Sequence, residues 1–97
     1  MEISIYSLLE GATRATGSVA VIDVFRAFTT AAVALANGAS RIVMVPTVEE
    51  ALALRDAGIG AVCMGEVRGR APDGFDFGNS PFEISIVDFH GNTIIRR

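Results

Sequence analysis

The stretch Ser18–Val24, SVAVIDV, indicates the fold class of this chain. It is a nearly continuous run of β-branched residues, typical of a strand covered on both faces in a parallel sheet, except that Asp23 stands near its carboxyl end. The next segment, Phe25–Asn37, is rich in alanine, has no period of two and stops at Asn37-Gly38, a common helix end. The two segments predict a buried strand followed by a buried helix.

The same alternation of strands and helices continues along the chain. A capping box predicts a helix over Val48–Ala57, and a Ser-Pro pair predicts a second helix from Pro81 to about Asp88. Alternating or apolar runs predict four more strands, namely Glu2–Leu8, Arg41–Val45, Ala61–Met64 and Asn92–Arg97. The order β-β-α-β-α-β-loop-α-β predicts an α/β domain with a mostly parallel sheet, right-handed crossovers and flanking helices.

Length and composition are those of one small α/β domain, residues 1–97. Of the 97 residues, 51% are hydrophobic and the formal net charge is −3, whereas disordered chains combine low hydrophobicity with high net charge. The eight basic residues are all arginines and are scattered, so the sequence lacks the basic patch of a nucleic-acid-binding surface. We expect a chain this short and this apolar to leave hydrophobic surface uncovered and to associate with a partner chain or a second copy.

Several other classes of protein are excluded or made improbable by the sequence. No apolar run approaches the ~20 residues of a membrane helix, so we expect a cytoplasmic protein without membrane contacts. Cys63 is the single cysteine and His90 the single histidine, which excludes an internal disulfide and a Cys/His zinc site. Cys63 lies in an apolar predicted strand and is expected in the core.

A first candidate site follows the strand Ser18–Val24. In open α/β sheets ligands bind beyond the carboxyl ends of the strands, and Asp23, Arg26, Thr29 and Thr30 lie there. If the helix begins near residue 24, its free amides and Arg26 form an anion site, with both threonines on the same face. The alternative is that Asp23 is the helix N-cap and that Arg26 is a surface residue that neutralises it.

A second candidate site is the glycine-rich segment Gly65–Ser80, which follows another predicted parallel strand. Glu66 and Asp76 are hard oxygen ligands of the kind that Mg²⁺ prefers, and Asn79 with Ser80 stands at a predicted helix N-terminus, where anions are favoured. The alternative is a long surface loop with turns and a good N-cap. Loops of this length in compact domains are uncommon unless they are functional.

Three motifs carry a resemblance to a known family. The sequences VIDVFRAFTT (21–30), Gly65-Glu66 and GFDFGNSP (74–81) resemble the amino-terminal half of the 2-phosphosulfolactate phosphatase (ComB) family. The resemblance implies an Mg²⁺-dependent phosphatase that converts 2-phosphosulfolactate to sulfolactate and phosphate. It also implies that residues 1–97 form about half of a larger ComB-like fold. A carboxyl-terminal half on a separate chain, or a homo-oligomer, would complete this fold.

The resemblance also implies roles for individual residues. The expected catalytic residues are Asp23, Arg26, Glu66 and Asp76. Of these, the three carboxylates Asp23, Glu66 and Asp76 are the expected Mg²⁺ ligands. The expected substrate-binding residues are Thr29, Thr30, Arg68, Asn79 and Ser80.

One departure from the family pattern concerns Arg68. The family usually reads Gly-Glu-Arg-x-Gly, whereas this chain reads Gly-Glu-Val-Arg-Gly at residues 65–69, so the arginine is displaced by one position. Two alternatives therefore stand beside the main hypothesis. One is a related phosphatase for another small phosphorylated acid, and the other is a non-catalytic anion-binding or assembly subunit.

Overall fold

The computed structural model of the chain describes residues 1–22 and 26–97. The described residues form four helices and three strands, which in chain order are α1 (Leu8–Arg14), α2 (Ala27–Ala36), β1 (Arg41–Met44), α3 (Val48–Asp56), β2 (Val62–Met64), α4 (Pro81–Ile84) and β3 (Thr93–Arg96). The strands form a parallel sheet in the order β1-β3-β2. The predicted α/β class with parallel pairing is confirmed by this small sheet.

Apolar side chains cover both faces of the sheet. On one face, Ile94 of β3 packs in a cluster with residues of α2 and α4, including Ala34 and Ile84. On the other face, Ile95 packs with Ala51 of α3 and with Cys63. Successive residues of a strand point to opposite faces, so the pair Ile94-Ile95 fills both halves of the core. Each fully buried isoleucine stabilises the fold by about 1.5 to 3 kcal/mol.

The predicted helix-start signals are confirmed. The Thr47 hydroxyl accepts a hydrogen bond from the Glu50 amide (3.1 Å) and begins α3. The Ser80 hydroxyl accepts one from the Glu83 amide (3.3 Å), with Pro81 as the first residue of α4. These caps satisfy amides that have no partner within the helix.

Helix α4 ends earlier than the predicted Asp88. The side-chain amide of Asn37 donates to the carbonyl oxygens of Ile84 (3.0 Å) and Ser85 (3.2 Å). Since these carbonyls are the acceptors that a longer helix would use for its next turn, the contact with Asn37 replaces the continuation of the helix. The result is a single turn fixed to the carboxyl end of α2.

The two strands predicted before α2 are not borne out in the described residues. Residues 2–7 have no regular secondary structure, and Leu8 begins α1 instead. Residues 18–22 are also not in a strand, and Ile22 is 81% exposed; the rest of that predicted strand lies outside the described residues. A strand needs a neighbour for its backbone hydrogen bonds, and neither segment has one in the described part of the chain.

Helix α2 and strand β1 are less buried than the sequence predicts. Thr30 and Ala34 are the fully buried residues of α2, while Phe28 and Leu35 are each half exposed. Met44 at the end of β1 is 60% exposed. Only one face of α2 packs on the sheet and α4, so an apolar sequence all round does not bury the whole helix. In the described residues no helix has the length and apolar character needed to cross a membrane.

The carboxyl ends of β2 and β3 are packed tightly against each other at Gly65. The Arg97 amide donates to the Met64 carbonyl (3.0 Å), which extends the ladder past the strand ends. A Cβ atom on Gly65 would lie 2.5 Å from the Arg97 carbonyl oxygen, and Gly65 has φ 148°. Only glycine fits this space and this backbone conformation without a shift of the chain.

We expect Gly65→Ala to lower the free energy of unfolding by about 2 to 3 kcal/mol, because it adds a steric clash to backbone strain. Gly69→Ala is the matched control, since Gly69 also has a positive φ (78°) but no atom within 4 Å of the added Cβ; it is expected to cost about 1 kcal/mol. Urea unfolding measures both. Equal losses would contradict the close contact at Gly65.

Cys63 is a core residue, as predicted. Its side chain is fully buried, and its Sγ lies 3.6 Å from the Ala51 carbonyl oxygen. Burial raises the pKa of the Cys63 thiol, so the folded chain keeps a proton that the unfolded chain releases near pH 8.5. The stability that depends on this proton is therefore present below about pH 8.5 and is lost as the pH rises from there toward the folded pKa.

We expect the free energy of unfolding to fall by about 1 kcal/mol more for the wild type than for Cys63→Ser between pH 7 and pH 9.5, because serine does not titrate in this range. Urea unfolding at the two pH values gives the comparison, in which other titrating groups cancel. Parallel curves for the two proteins would be inconsistent with a raised thiol pKa.

Candidate functional site

An ion pair between Arg26 and Glu66 forms the centre of the candidate site. Glu66 lies two residues beyond β2, and Arg26 immediately precedes α2. The Arg26 Nη2 atom lies 2.6 Å from Glu66 Oε1 and 2.8 Å from Oε2. The side chain of Arg26 is 53% exposed and that of Glu66 only 15%. The carboxylate is thus inside and the guanidinium outside, at the carboxyl edge of the parallel sheet, where ligands bind in α/β proteins.

The segment Gly78-Asn79 holds the Glu66 carboxylate from a second side. The backbone amide of Asn79 donates to Glu66 Oε1 (2.8 Å). A Cβ on Gly78 would lie 3.1 Å from the same oxygen, so glycine allows this close approach. This segment runs beside β2, since the Gly65 amide donates to the Phe77 carbonyl (3.0 Å). The structure thus brings Glu66 and Asn79 into direct contact, while their catalytic and substrate-binding roles remain predictions.

The last two arginines join this cluster, and the sequence reasoning missed both of them. Arg96 is only 5% exposed, and its Nη2 donates to Asn79 Oδ1 (3.3 Å). Arg97 is exposed, and its Nη1 donates to the Glu66 carbonyl oxygen (3.2 Å). A signal for them is present in the sequence, because both residues stand at the carboxyl end of a predicted parallel strand, where ligands bind in α/β sheets.

The charges at this edge favour an anionic ligand. In the described residues three guanidinium groups meet around Glu66 and Asn79. Arg26 contacts the Glu66 carboxylate, Arg97 contacts the Glu66 backbone carbonyl oxygen, and Arg96 contacts the Asn79 side chain. Arginine presents several N–H donors in a planar array that matches phosphate and carboxylate oxygens. The arrangement can therefore hold an acidic ligand, with Arg26 and Arg97 accessible to it.

Asp76 occupies a different hydrogen-bond network from Glu66. Its Oδ2 accepts from the Cys63 amide (2.8 Å) and from Arg55 Nη1 (3.3 Å). Its own amide donates to the Cys63 carbonyl (2.9 Å). These contacts fix the returning end of the glycine-rich segment to β2, which is a structural role. The catalytic and metal-binding roles expected for Asp76 remain predictions.

The hydroxyl side chains and Arg68 are placed as follows. The predicted shared face of Arg26, Thr29 and Thr30 is not formed, because α2 begins at Ala27 and Arg26 lies outside its first turn. Thr29 is exposed, whereas Thr30 is fully buried, and its Oγ1 has no hydrogen-bond partner in the described part of the chain. Ser80 caps α4. Arg68 is exposed at a tight turn with φ 52°.

Asp23, the remaining predicted carboxylate, lies outside the described residues. Within residues 1–22 and 26–97 no group of three or more His, Cys, Asp or Glu side chains comes together to hold a metal. Both oxygens of Glu66 contact Arg26, and Oε1 also accepts from Asn79. The described residues do not by themselves form a magnesium site.

A shallow depression of about 410 Å³ lies at the opposite edge of the sheet. Its lining comes from the residues that precede β2 and β3, including Gly60 and Asn92. Arg55, its one charged lining residue, is paired with Asp76. The cluster around Glu66, although it is not a deep cavity, is the better candidate because charged groups converge there.

Comparison with known proteins assigns the chain to a family. The family model of 2-phosphosulpholactate phosphatase matches residues 4–97. The chain belongs to this family. The match includes the Glu66, Asn79 and Arg96 positions, so the cluster at the carboxyl edge lies within the part of the fold that the family model describes.

Three curated relatives show the extent of the similarity. The probable 2-phosphosulfolactate phosphatase of Thermotoga petrophila is 48% identical over 75 residues, which are 77% of this chain and 32% of that protein. The proteins of the same name from Clostridium acetobutylicum and Bacillus subtilis are 45% and 40% identical, over 77% and 79% of this chain and 32% and 34% of their own length. The matched region thus spans about a third of the length of these relatives.

We expect Asp76→Ala to lower the free energy of unfolding by about 2 kcal/mol, because the Cys63 amide loses its carboxylate acceptor. Asp76→Asn keeps an acceptor oxygen at the same place and should cost about half as much. Urea unfolding of the two variants checks the expectation. If asparagine and alanine destabilise equally, the hydrogen bond to Cys63 is not what Asp76 contributes.

Proposed function

We propose that this chain is part of a phosphatase that hydrolyses a small acidic phosphate ester, with 2-phosphosulfolactate as the substrate and sulfolactate and phosphate as the products. The observation that carries the proposal is the convergence of Arg26, Arg96 and Arg97 on the contacting pair Glu66 and Asn79 at the carboxyl edge of the sheet. Membership of the 2-phosphosulpholactate phosphatase family and the names of the relatives support the choice of substrate.

The arginines have distinct tasks in this proposal. Arg26, with half of its side chain exposed, binds the phosphate oxygens. Arg97 also reaches the surface at this edge and binds a second acidic group of the substrate. The positive charges neutralise the charge that spreads over the phosphoryl oxygens in the transition state, which is the main means of catalysing phosphoryl transfer.

Magnesium dependence is part of the proposal because the family resemblance implies it. The ion, when bound beside a phosphate, neutralises charge and polarises the phosphoryl group. Since the oxygens of Glu66 are already in contact with Arg26 and Asn79, we derive no step of the reaction through a metal on the described residues. Asp23 and Asp76 remain proposed ligands.

We further propose that a partner completes the enzyme, either a chain that carries the remainder of the relatives' length or a second copy. The large apolar side chains that remain exposed support this part of the proposal. Phe82 and Ile86, in and just after α4, are about nine-tenths exposed, and so is Ile5 in the amino-terminal segment. Apolar surface of this kind marks sites of association.

We expect the purified protein to release phosphate from 2-phosphosulfolactate. Any companion chain is kept with it and is identified by native mass spectrometry. EDTA should abolish the release. Arg26→Ala should lower kcat/KM at least about a hundredfold, because it removes charge stabilisation in the transition state. Arg41→Ala is the matched control, since Arg41 is an exposed arginine at the amino end of β1, and it should retain activity.

Turnover assays with several small phosphate esters, together with a phosphate-binding measurement, decide between the proposal and its alternatives. Turnover of phosphoglycolate or phospholactate in preference to 2-phosphosulfolactate would replace the proposed substrate by another small phosphorylated acid. Saturable phosphate binding with no turnover of any ester would replace the enzyme by an anion-binding subunit. Unchanged turnover in Arg26→Ala would contradict the assigned role of this arginine.

A further inference from the structure

We propose that Glu66 is a positioning residue for Arg26, held in turn by Asn79 and Arg96, and that it serves the phosphate-binding arginine rather than a metal ion. The inference rests on the proposed function for the nature of the ligand. It gives different roles to Arg26 and Glu66, which were both expected from the sequence to be catalytic residues. A continuous series of contacts runs from Arg96 on the central strand, through Asn79 and Glu66, to Arg26 at the surface.

The contact between Glu66 and Arg26 leaves the guanidinium able to bind a ligand. Both carboxylate oxygens contact the same nitrogen, Nη2, at 2.6 and 2.8 Å. In the described part of the chain Nη1 and Nε make no other hydrogen bond, and these two nitrogens carry three of the five N–H donors. The carboxylate therefore holds the guanidinium at one corner and leaves its remaining donors for an anion.

The carboxylate itself is fixed from the interior. Its oxygen Oε1 accepts from the Asn79 amide at 2.8 Å, and Gly78 packs closely against it. The side chain of Asn79 is bound in turn by the buried Arg96, at the end of the central strand β3. Arg96 belongs to the sheet, and Gly65 and Phe77, which adjoin Glu66 and Gly78, are joined by a backbone hydrogen bond (3.0 Å). A group held by such supports keeps the geometry that binding requires.

The same contacts argue against Glu66 as a metal ligand or a general base. Either role needs a free acceptor site on the carboxylate. Oε1 accepts from both Arg26 and the Asn79 backbone amide, and Oε2 contacts Arg26, which leaves about one site on a side chain that is only 15% exposed. Removing Arg26 would leave this mostly buried charge without its partner, which costs free energy. The pair is therefore expected to persist when a ligand binds.

The two possible effects of Glu66 on anion binding have opposite signs. If Glu66 acts only as a nearby negative charge, its removal strengthens the binding of an anion. If Glu66 positions Arg26, its removal weakens binding, and this loss disappears when Arg26 is absent. The sign of the change thus separates positioning from electrostatics, and a merely structural role predicts neither pattern.

The test is a calorimetric titration in which inorganic phosphate is added to the protein, together with any companion chain, in the presence of EDTA. We expect Glu66→Gln to raise the phosphate Kd about tenfold. Glu66→Asp keeps the charge but withdraws it by one methylene, and should raise Kd by a similar factor. In the Arg26→Ala background, Glu66→Gln should cause no further loss. Asp56→Asn, at the end of α3 and the opposite edge of the sheet, removes the same charge and should leave Kd unchanged.

Several outcomes would overturn the proposal. These are an absence of phosphate binding by the wild type, tighter binding by Glu66→Gln, and an unchanged Kd for Glu66→Asp. Thermal unfolding confirms that each variant is folded, and Glu66→Asp with Arg26→Lys carries the test if Glu66→Gln does not fold. Because the titration contains no ester and no metal, failure of turnover in the phosphatase assay leaves this result intact, so the two proposals fail separately.

Discussion

The parallel pairing of β3 between β1 and β2 is the constraint on which the rest of the molecule depends. It places Ile94 and Ile95 in the two halves of the core and brings Arg96 level with Met44 and Met64 at the carboxyl edge. The strand that contributes most to the core therefore also sets the depth at which the arginines sit. Stability and the proposed anion recognition share one register, and a slip by one residue would exchange the two sets of side chains.

Two glycines let the chain approach itself closely enough to build the site. Gly65 leaves room for the Arg97 carbonyl, and Gly78 leaves room for the Glu66 carboxylate. Glycines in a loop allow the backbone to approach a ligand closely. In the folded chain these two approach other parts of the same molecule. Their contribution to ligand binding is thus indirect, through the groups that they allow to meet.

The sequence was most informative where the signals are local. The caps at Thr47 and Ser80 need only neighbouring residues, and they placed α3 and the start of α4 well. The alternation in residues 2–7 did not give a strand, because pairing needs a partner that the segment itself cannot supply. The site was predicted in part for the same reason. Glu66 and Asn79 were found from their loop, but Arg96 and its contact with Asn79 depend on tertiary structure.

The glycine-rich segment is closed at its base by two sets of contacts. Asp76 binds the Cys63 backbone, and Phe77 pairs with Gly65, so the chain returns to β2 almost where it left. Glu66 and Asn79 lie next to this closure, whereas residues 67–71 form an exposed tip. Exposed loop tips tolerate changes in length and sequence. Such an arrangement allows the tip, including the displaced Arg68, to change while the anchored residues keep their places, and so separates selectivity from binding capacity in the proposed recognition of acidic substrates.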